Sequence, residues 1–217
     1  MASKAFGHLI KTGALSLALF LCGCIGKHSP DAQSVIITET NEKAVQTLGD
    51  TLDVNLVKSS MSWKGTKMRG AGKHEGEISW KRAYFLLRDD SLVGGAFTID
   101  MRSIRITDMP EHETEARRNL TDHLSSPDFF DVERFPESTF EVTRIKYLEA
   151  NELEIIGALT IKDVTRDISF KGNYADGVFT TRFAIDRFLW NIAYQGSWTD
   201  KTFVDPDIQF TITLKIL

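Results

Sequence analysis

Over most of its length this chain alternates apolar and polar residues with a period of two, a pattern that calls for β-strands with one face in a core and the other in water. Met61 and Trp63 alternate with Ser60, Ser62 and Lys64, and Phe97, Ile99 and Met101 alternate with Thr98, Asp100 and Arg102. The pair Gly94 and Gly95 ahead of Phe97 predicts a kink or bulge at that strand's start. Phe140 and Val142 come next. Leu153, Ile155, Gly157, Leu159 and Ile161 then share one parity, and a turn of Lys162, Asp163 and Val164 leads to Ile168 and Phe170. Asp176-Gly177 is the strongest hairpin signal in the chain. Beyond it lie Phe179, Phe183 and Ile185, and finally Ile208, Phe210, Ile212, Leu214 and Ile216, all in step. With segments near 74–80 and 82–88 added, eight or nine strands are expected from Asp53 onward.

One stretch breaks the rhythm. From Pro110 to about Leu124, Ala116, Leu120 and Leu124 recur at helical spacing among charged residues. Glu111, Glu113 and Glu115 suit the first turns of a helix, and Pro110 suits its first position. The helix falls between a strand ending near Ile104 and one starting near Ser138, so it reads as an insertion in a meander rather than a βαβ crossover.

At 217 residues the chain has room for one domain with its own core. Many antiparallel strands in one such domain must stack as two sheets or close on themselves. The expected fold is all-β, an eight-stranded antiparallel barrel with one helical insertion, since closure removes exposed edges and leaves an interior for side chains or one small ligand. The 14 Phe and 4 Trp outnumber the 4 Tyr. Most rings therefore carry no hydroxyl in need of a buried partner, which favours a cavity, although the same rings can fill a dry core.

The chain's beginning reads as a leader. Lys4 and Lys11 precede an apolar run from Ala14 to Leu21, followed by Cys22, Gly23 and Cys24. These are the parts of a secretory signal, and the run is well short of the ~20 apolar residues that span a bilayer. Leu21-Cys22-Gly23-Cys24 resembles a bacterial lipobox, with Gly23 before a lipidated Cys24. Residues 1–23 are thus expected to be a lipoprotein signal peptide, residues 24–52 a tether and lead-in, and residues 53–217 the barrel. Ile25 carries no acidic retention signal, which favours the outer membrane. No cysteine remains for a disulfide framework or a zinc site. The formal charge of −4, from 26 basic and 30 acidic residues, becomes −6 once Lys4 and Lys11 are removed, so nucleic acid is an unlikely partner by charge alone.

Catalytic templates are missing. His112 and Glu113 begin like a zinc-protease motif, but Ala116 stands where the second ligand belongs. Gly70, Gly72 and Gly76 lack the spacing and βαβ context of a dinucleotide loop. His74 and Glu75 could face a ligand's head group or form a solvated turn, and Asp186 and Arg187 could clamp an anion or cap a loop. Phe129 and Phe130, between Asp128 and Asp131, read as a plug seating the post-helix loop on the barrel end. No cofactor or metal is expected.

Several blocks in order resemble the YceI-like polyisoprenoid-binding family. They comprise Ser60, Trp63, Lys64, Gly65, His74 and Gly76, then Gly94, Gly95, Phe97, Ile99, Asp100, Met101, Ser103 and Ile104. Leu120, His123, Leu124, Asp128, Phe129, Phe130, Phe135, Pro136 and Phe140 follow. Gly157, Leu159, Thr160, Thr165, Ile168 and Phe170 precede Asp186, Arg187, Trp190 and Tyr194. The resemblance implies a lipocalin-like barrel with a helical insertion, whose apolar tunnel holds a long isoprenoid or quinone-type lipid, carried or stored without catalysis in the bacterial periplasm. The tight Asp176-Gly177 turn departs from the family and bears on the shape of the entrance.

Such a tunnel binds by burial, at roughly 0.8 kcal/mol per CH₂. The alternating set supplies its candidate lining, namely Met61, Trp63, Phe97, Ile99, Met101, Phe140, Phe170, Phe183, Ile185, Trp190 and Phe210, with His74 and Arg187 as head-group candidates. The alternative is a non-catalytic structural or interaction lipoprotein of the cell envelope with no small-molecule ligand. A hydrolase or redox enzyme would need polar groups converging in the cavity, which the sequence does not supply.

Overall fold

The computed structural model describes residues 32–38, 49–193 and 204–217. The expected leader, residues 1–23, together with Cys24 and Tyr194, lies outside them. Eight long strands follow in meander order: β4 (Ser60–Lys67), β5 (Gly72–Arg88), β6 (Ser91–Ile106), β7 (Glu137–Tyr147), β8 (Glu152–Ile161), β9 (Val164–Ala175), β10 (Val178–Asp186) and β11 (Val204–Lys215). Each pairs antiparallel with the next, and β11 returns to β4, with Phe210 opposite Trp63 and Ile212 opposite Met61. The sheet is thereby closed into a barrel, and its edges are paired away.

The segments expected near 74–80 and 82–88 are one strand. Register shifts between Glu77 and Ser79 and between Trp80 and Arg82 switch the inward parity, so Ile78 and Trp80 face the core above, and Ala83 and Phe85 below. β6 switches in the same way, from Phe97, Ile99 and Met101 to Ile104 and Ile106. Ser103 braces that irregularity, its Oγ accepting from the Ser79 amide at 2.7 Å and donating to the Asp100 carbonyl at 2.6 Å. The shift between Leu86 and Leu87 falls beside Gly94, where the glycine pair predicts a bulge. Asp176 and Gly177 turn with positive φ, 50° and 71°, the conformation that a two-residue type I′ hairpin needs.

The insertion forms α1 (Thr114–Ser125), which starts four residues later than the sequence predicts. Pro110 does not open it, because the chain first makes a separate turn in which the Glu113 amide donates to the Pro110 carbonyl. Leu124 of α1 is buried, and Arg117 donates to the Ile106 carbonyl at 2.8 Å, which pins the helix to the end of β6.

The lead-in takes part in closing the barrel. β9 and β10 pair only through 173–175 and 178–180 and then diverge. β1 (Gln33–Ser34) runs parallel to β10, with Gln33 opposite Phe183, and β2 (Ile36–Ile37) runs antiparallel to β9, with Ile36 opposite Ser169. The Gln33 amide completes the seam as a backbone would, donating to the Lys171 carbonyl at 2.6 Å and accepting from the Lys171 amide at 2.8 Å. β3 (Asp50–Asp53) lies along the far half of β5, with Asp53 opposite Tyr84.

Candidate functional site

The barrel has unlike ends. At the end of the hairpin 89–90 and the Asp176-Gly177 turn, Phe85, Leu92, Leu153, Phe179 and Leu214 are at most 4% exposed and seal the interior. The turn expected to shape the entrance therefore sits at the closed end. Toward the other end an apolar cavity of ≈ 200 Å³ opens beneath the hairpin 68–71 and α1.

A belt of phenyl rings girdles the cavity, one from each of five strands. Phe97 and Phe140 are 6.4 Å apart between centroids, Phe140 and Phe170 are 5.5 Å apart, Phe170 and Phe183 are 4.5 Å apart, and Phe183 and Phe210 are 5.7 Å apart. The separations match offset-stacked and tilted aromatic pairs, so each ring orients its neighbour. Met61, Trp63, Ile99 and Met101 line the same cavity. Nine of the eleven candidate lining residues thus share one wall.

Ile185 and Trp190 do not line it. Ile185 is 1% exposed in the packed core, and Trp190 is fully buried, with its indole N–H donating to the Leu159 carbonyl at 3.1 Å. Parity assigns Ile185 to the inner face without giving its depth, and Trp190 lies past the end of β10, in the 3₁₀ turn Arg187–Trp190, where strand parity does not apply. Conversely, Ile78, Trp80 and Phe85 line the cavity although no clean alternation marks them, because the β5 irregularities shift the parity. Phe129 and Phe130 close one side of the mouth, edge to face at 4.9 Å, and Phe129 leans on His123 of α1 at 5.7 Å. Their hydrophobic character in an acidic loop is the signal that marks them.

The two head-group candidates stand at the rim in different settings. His74 Nδ1 lies 3.3 Å from Asp108, beside Lys73, whose ammonium pairs with Glu75 at 2.8 Å. That hydrogen bond and the Glu75 charge raise the Lys73 pKa. Arg187 is 2% exposed and donates to the carbonyls of Asp205, Ile192 and Val204 at 3.1, 2.8 and 3.1 Å. Its guanidinium also lies over Phe188 at 4.2 Å. Arg187 thereby fastens the two chain ends that flank the undescribed 194–203, while the Asp186 carboxylate caps the following turn at the Phe188 amide. Asp205 holds the hairpin 68–71 in turn, accepting from Thr66 Oγ1 and from the amides of Arg69 and Gly70. The rim is a set of satisfied polar groups around an apolar bore. Among the described residues, no cluster of three or more His, Cys, Asp or Glu could hold a metal ion.

The model of the YceI-like domain matches residues 52–216, the whole long-stranded barrel. This chain belongs to the YceI-like family. Curated relatives align over short stretches only: a UPF0312 protein of Pseudomonas putida is 35% identical over 52 residues, 24% of this chain and 27% of that protein. Protein YceI of Salmonella arizonae is 41% identical over 49 residues, 23% of this chain and 25% of that protein. The chain thus spans about a quarter of the length of the curated relatives it matches. Among solved structures, BcnA of Burkholderia cenocepacia superposes with a TM-score of 0.61 at 23% identity, covering 75% of this chain and 98% of that one. A polyisoprenoid binding domain from Saccharophagus degradans, described as implicated in plant cell wall breakdown, superposes with a TM-score of 0.54 at 9% identity, covering 76% and 96%. At these identities the likeness establishes the shared YceI-like, lipocalin-like barrel.

Proposed function

We propose that this YceI-like protein holds a long apolar lipid of the isoprenoid or quinone type in its barrel, for transport or storage, and performs no catalysis. The observation that carries this reading is the apolar cavity leading from an open mouth down to the phenyl belt. A wall of that kind binds a hydrocarbon chain through burial, at roughly 0.8 kcal/mol per CH₂, and needs few hydrogen bonds to do so. The description of the Saccharophagus degradans domain as polyisoprenoid binding supports the same ligand class.

The reading extends to location. The leader and lipobox support export and anchoring through Cys24, with the barrel facing the periplasm and the outer membrane favoured. Several acyl chains anchor a protein stably where one does so only marginally.

Native mass spectrometry of the chain purified from a bacterial envelope without detergent, followed by organic extraction, tests the first part. An adduct of isoprenoid or quinone type supports the carrier. A bare mass that stays bare after incubation with quinones and polyprenols overturns it in favour of an interaction lipoprotein. For the anchor, Cys24→Ser should release the protein from carbonate-washed membranes, and continued membrane association would refute lipidation at Cys24.

A further inference from the structure

Between β9 and β10 the barrel wall is interrupted, and the interruption is framed on every side. The two strands pair with each other only at the closed end, through 173–175 and 178–180, where Thr181 Oγ1 also donates to the Lys171 carbonyl at 2.7 Å. At the mouth end the 3₁₀ turn Arg187–Trp190 spans from β10 toward β9 and β8. Arg166 Nε donates to its Leu189 carbonyl at 2.6 Å, and its Trp190 indole reaches the Leu159 carbonyl. The window left between these fastenings is one strand wide, which sets the flanking backbones about 10 Å apart. Residues 33–38 fill it.

The filling is lightly held. It shares two registered residue pairs with β10 and two with β9, whereas β10 shares nine with β11. The Val35 amide donates to the Ala184 carbonyl at 3.0 Å and the Thr38 amide to the Asp167 carbonyl at 2.9 Å, so the backbone crosses from the β10 edge to the β9 edge. Burial adds little, because Ile36 is 64% and Ile37 38% exposed, while Val35 packs against the core. Seating also leaves Thr38 Oγ1 buried with no partner among the described residues. Lifting strands little in return. The Lys171 carbonyl that loses the Gln33 side chain keeps the Thr181 hydroxyl, and the other freed backbone groups meet water.

Behind the window stands the cavity. Phe170 of β9 and Phe183 of β10 stack on each other at 4.5 Å, one from each side of the gap, and both line the cavity wall. The YceI-like match begins at residue 52, so the filling strand lies outside the matched domain, and the eight strands that close the barrel do not include it.

We propose that residues 33–38 are a flap, which lifts from between β9 and β10 to let the apolar chain of a lipid pass sideways onto Phe170 and Phe183 and reseats once the chain is inside. The passage rests on the lipid-carrier reading; the lifting of the strand does not. The bore is blind at its closed end, so sideways entry spares a long chain from being threaded through the mouth. Because the flap is seated in both the empty and the loaded protein, it sets the rate of exchange and leaves affinity alone.

The test uses the full-length chain with Cys22→Ser and Cys24→Ser. Ile36→Cys and Ser169→Cys then place thiols at opposed positions of β2 and β9, to be bridged with dichloroacetone and checked by mass. Stopped-flow uptake and release of dansyl-labelled geranylgeraniol should both slow about tenfold or more in the bridged protein relative to the unbridged one, with Kd unchanged within about twofold. Gln33→Ala should speed both by about fivefold, the worth of one neutral hydrogen bond. Without any lipid, the Val35 and Thr38 amides should exchange through an opening well below the global limit set by amides in the middle of β8. Equal rates in bridged and unbridged protein would overturn the flap, and so would Val35 and Thr38 amides protected to the global limit. A probe that binds no variant would instead remove the carrier reading, with the exchange data still reporting whether the strand lifts.

Discussion

Two glycines on the inner wall make opposite demands on their surroundings. A Cβ added at Gly65 would meet nothing within 4 Å, because that stretch of β4 looks into the open bore. Gly65→Phe should therefore leave the melting temperature within about 2 °C of the parent, as expected where no packing is disturbed, yet block lipid uptake in a fluorescent-lipid displacement assay. At Gly157 a Cβ would lie 2.4 Å from the Glu141 carbonyl oxygen and 2.7 Å from Phe140 Cζ, so the missing side chain is what lets the Phe140 ring lie against β8. Gly157→Ala should cost about 1–3 kcal/mol in urea unfolding, the range for an overfilled core. Unchanged stability there would mean that the belt is looser than its ring contacts imply. Alternation made the inner face legible at Met61, Phe97, Phe140 and Phe183. It could not separate bore from packed core at Ile185, because period two reports direction and carries nothing about radius, and it does not reach Trp190, which lies in a 3₁₀ turn beyond β10.

Strands were easier to read than the devices that bend or join them. The irregularities of β5 and β6 each move the inward set by one residue, and a strand that changes parity looks in sequence like two short ones. The seam between β9 and β10 was harder still. Gln33, Ser34, Ile36 and Ile37 form too short a run to carry any period, and a tether is what their polar approach suggests. Only the divergence of β9 from β10 beyond Thr180 creates a place for them. That role can be measured at one residue: Gln33→Ala removes both bonds to Lys171 and should strip hydrogen-exchange protection from the Lys171 amide. The cost should be about 1–2 kcal/mol, with amides in the middle of β8 still protected to the global limit. Retained protection at Lys171 would show that β9 needs no partner there.

For the whole molecule, the proposed cargo and the fold would share one free energy. A lipid present at about 100 times its Kd adds roughly 2.7 kcal/mol to the folded state, so stripping the protein by organic extraction and refolding should lower its melting temperature by about 5–10 °C. Adding lipid back should restore it. Alkali acts on the same balance from another side. Burial, with a smaller contribution from Tyr147, raises the Tyr174 hydroxyl above the ordinary phenolic value, so the folded barrel keeps that proton after the unfolded chain has lost its own. This contribution is intact below about pH 10 and fades as pH rises through the folded value. Urea midpoints should decline across that window, and Tyr174→Phe should flatten the decline. The seam has a final consequence in time rather than space. Gln33 settles against Phe183, 150 residues further along, so this segment has no berth until β9 and β10 exist. Contacts of such long sequence separation slow folding, and a strand whose place is the gap between β9 and β10 can pair there only once those two strands have formed.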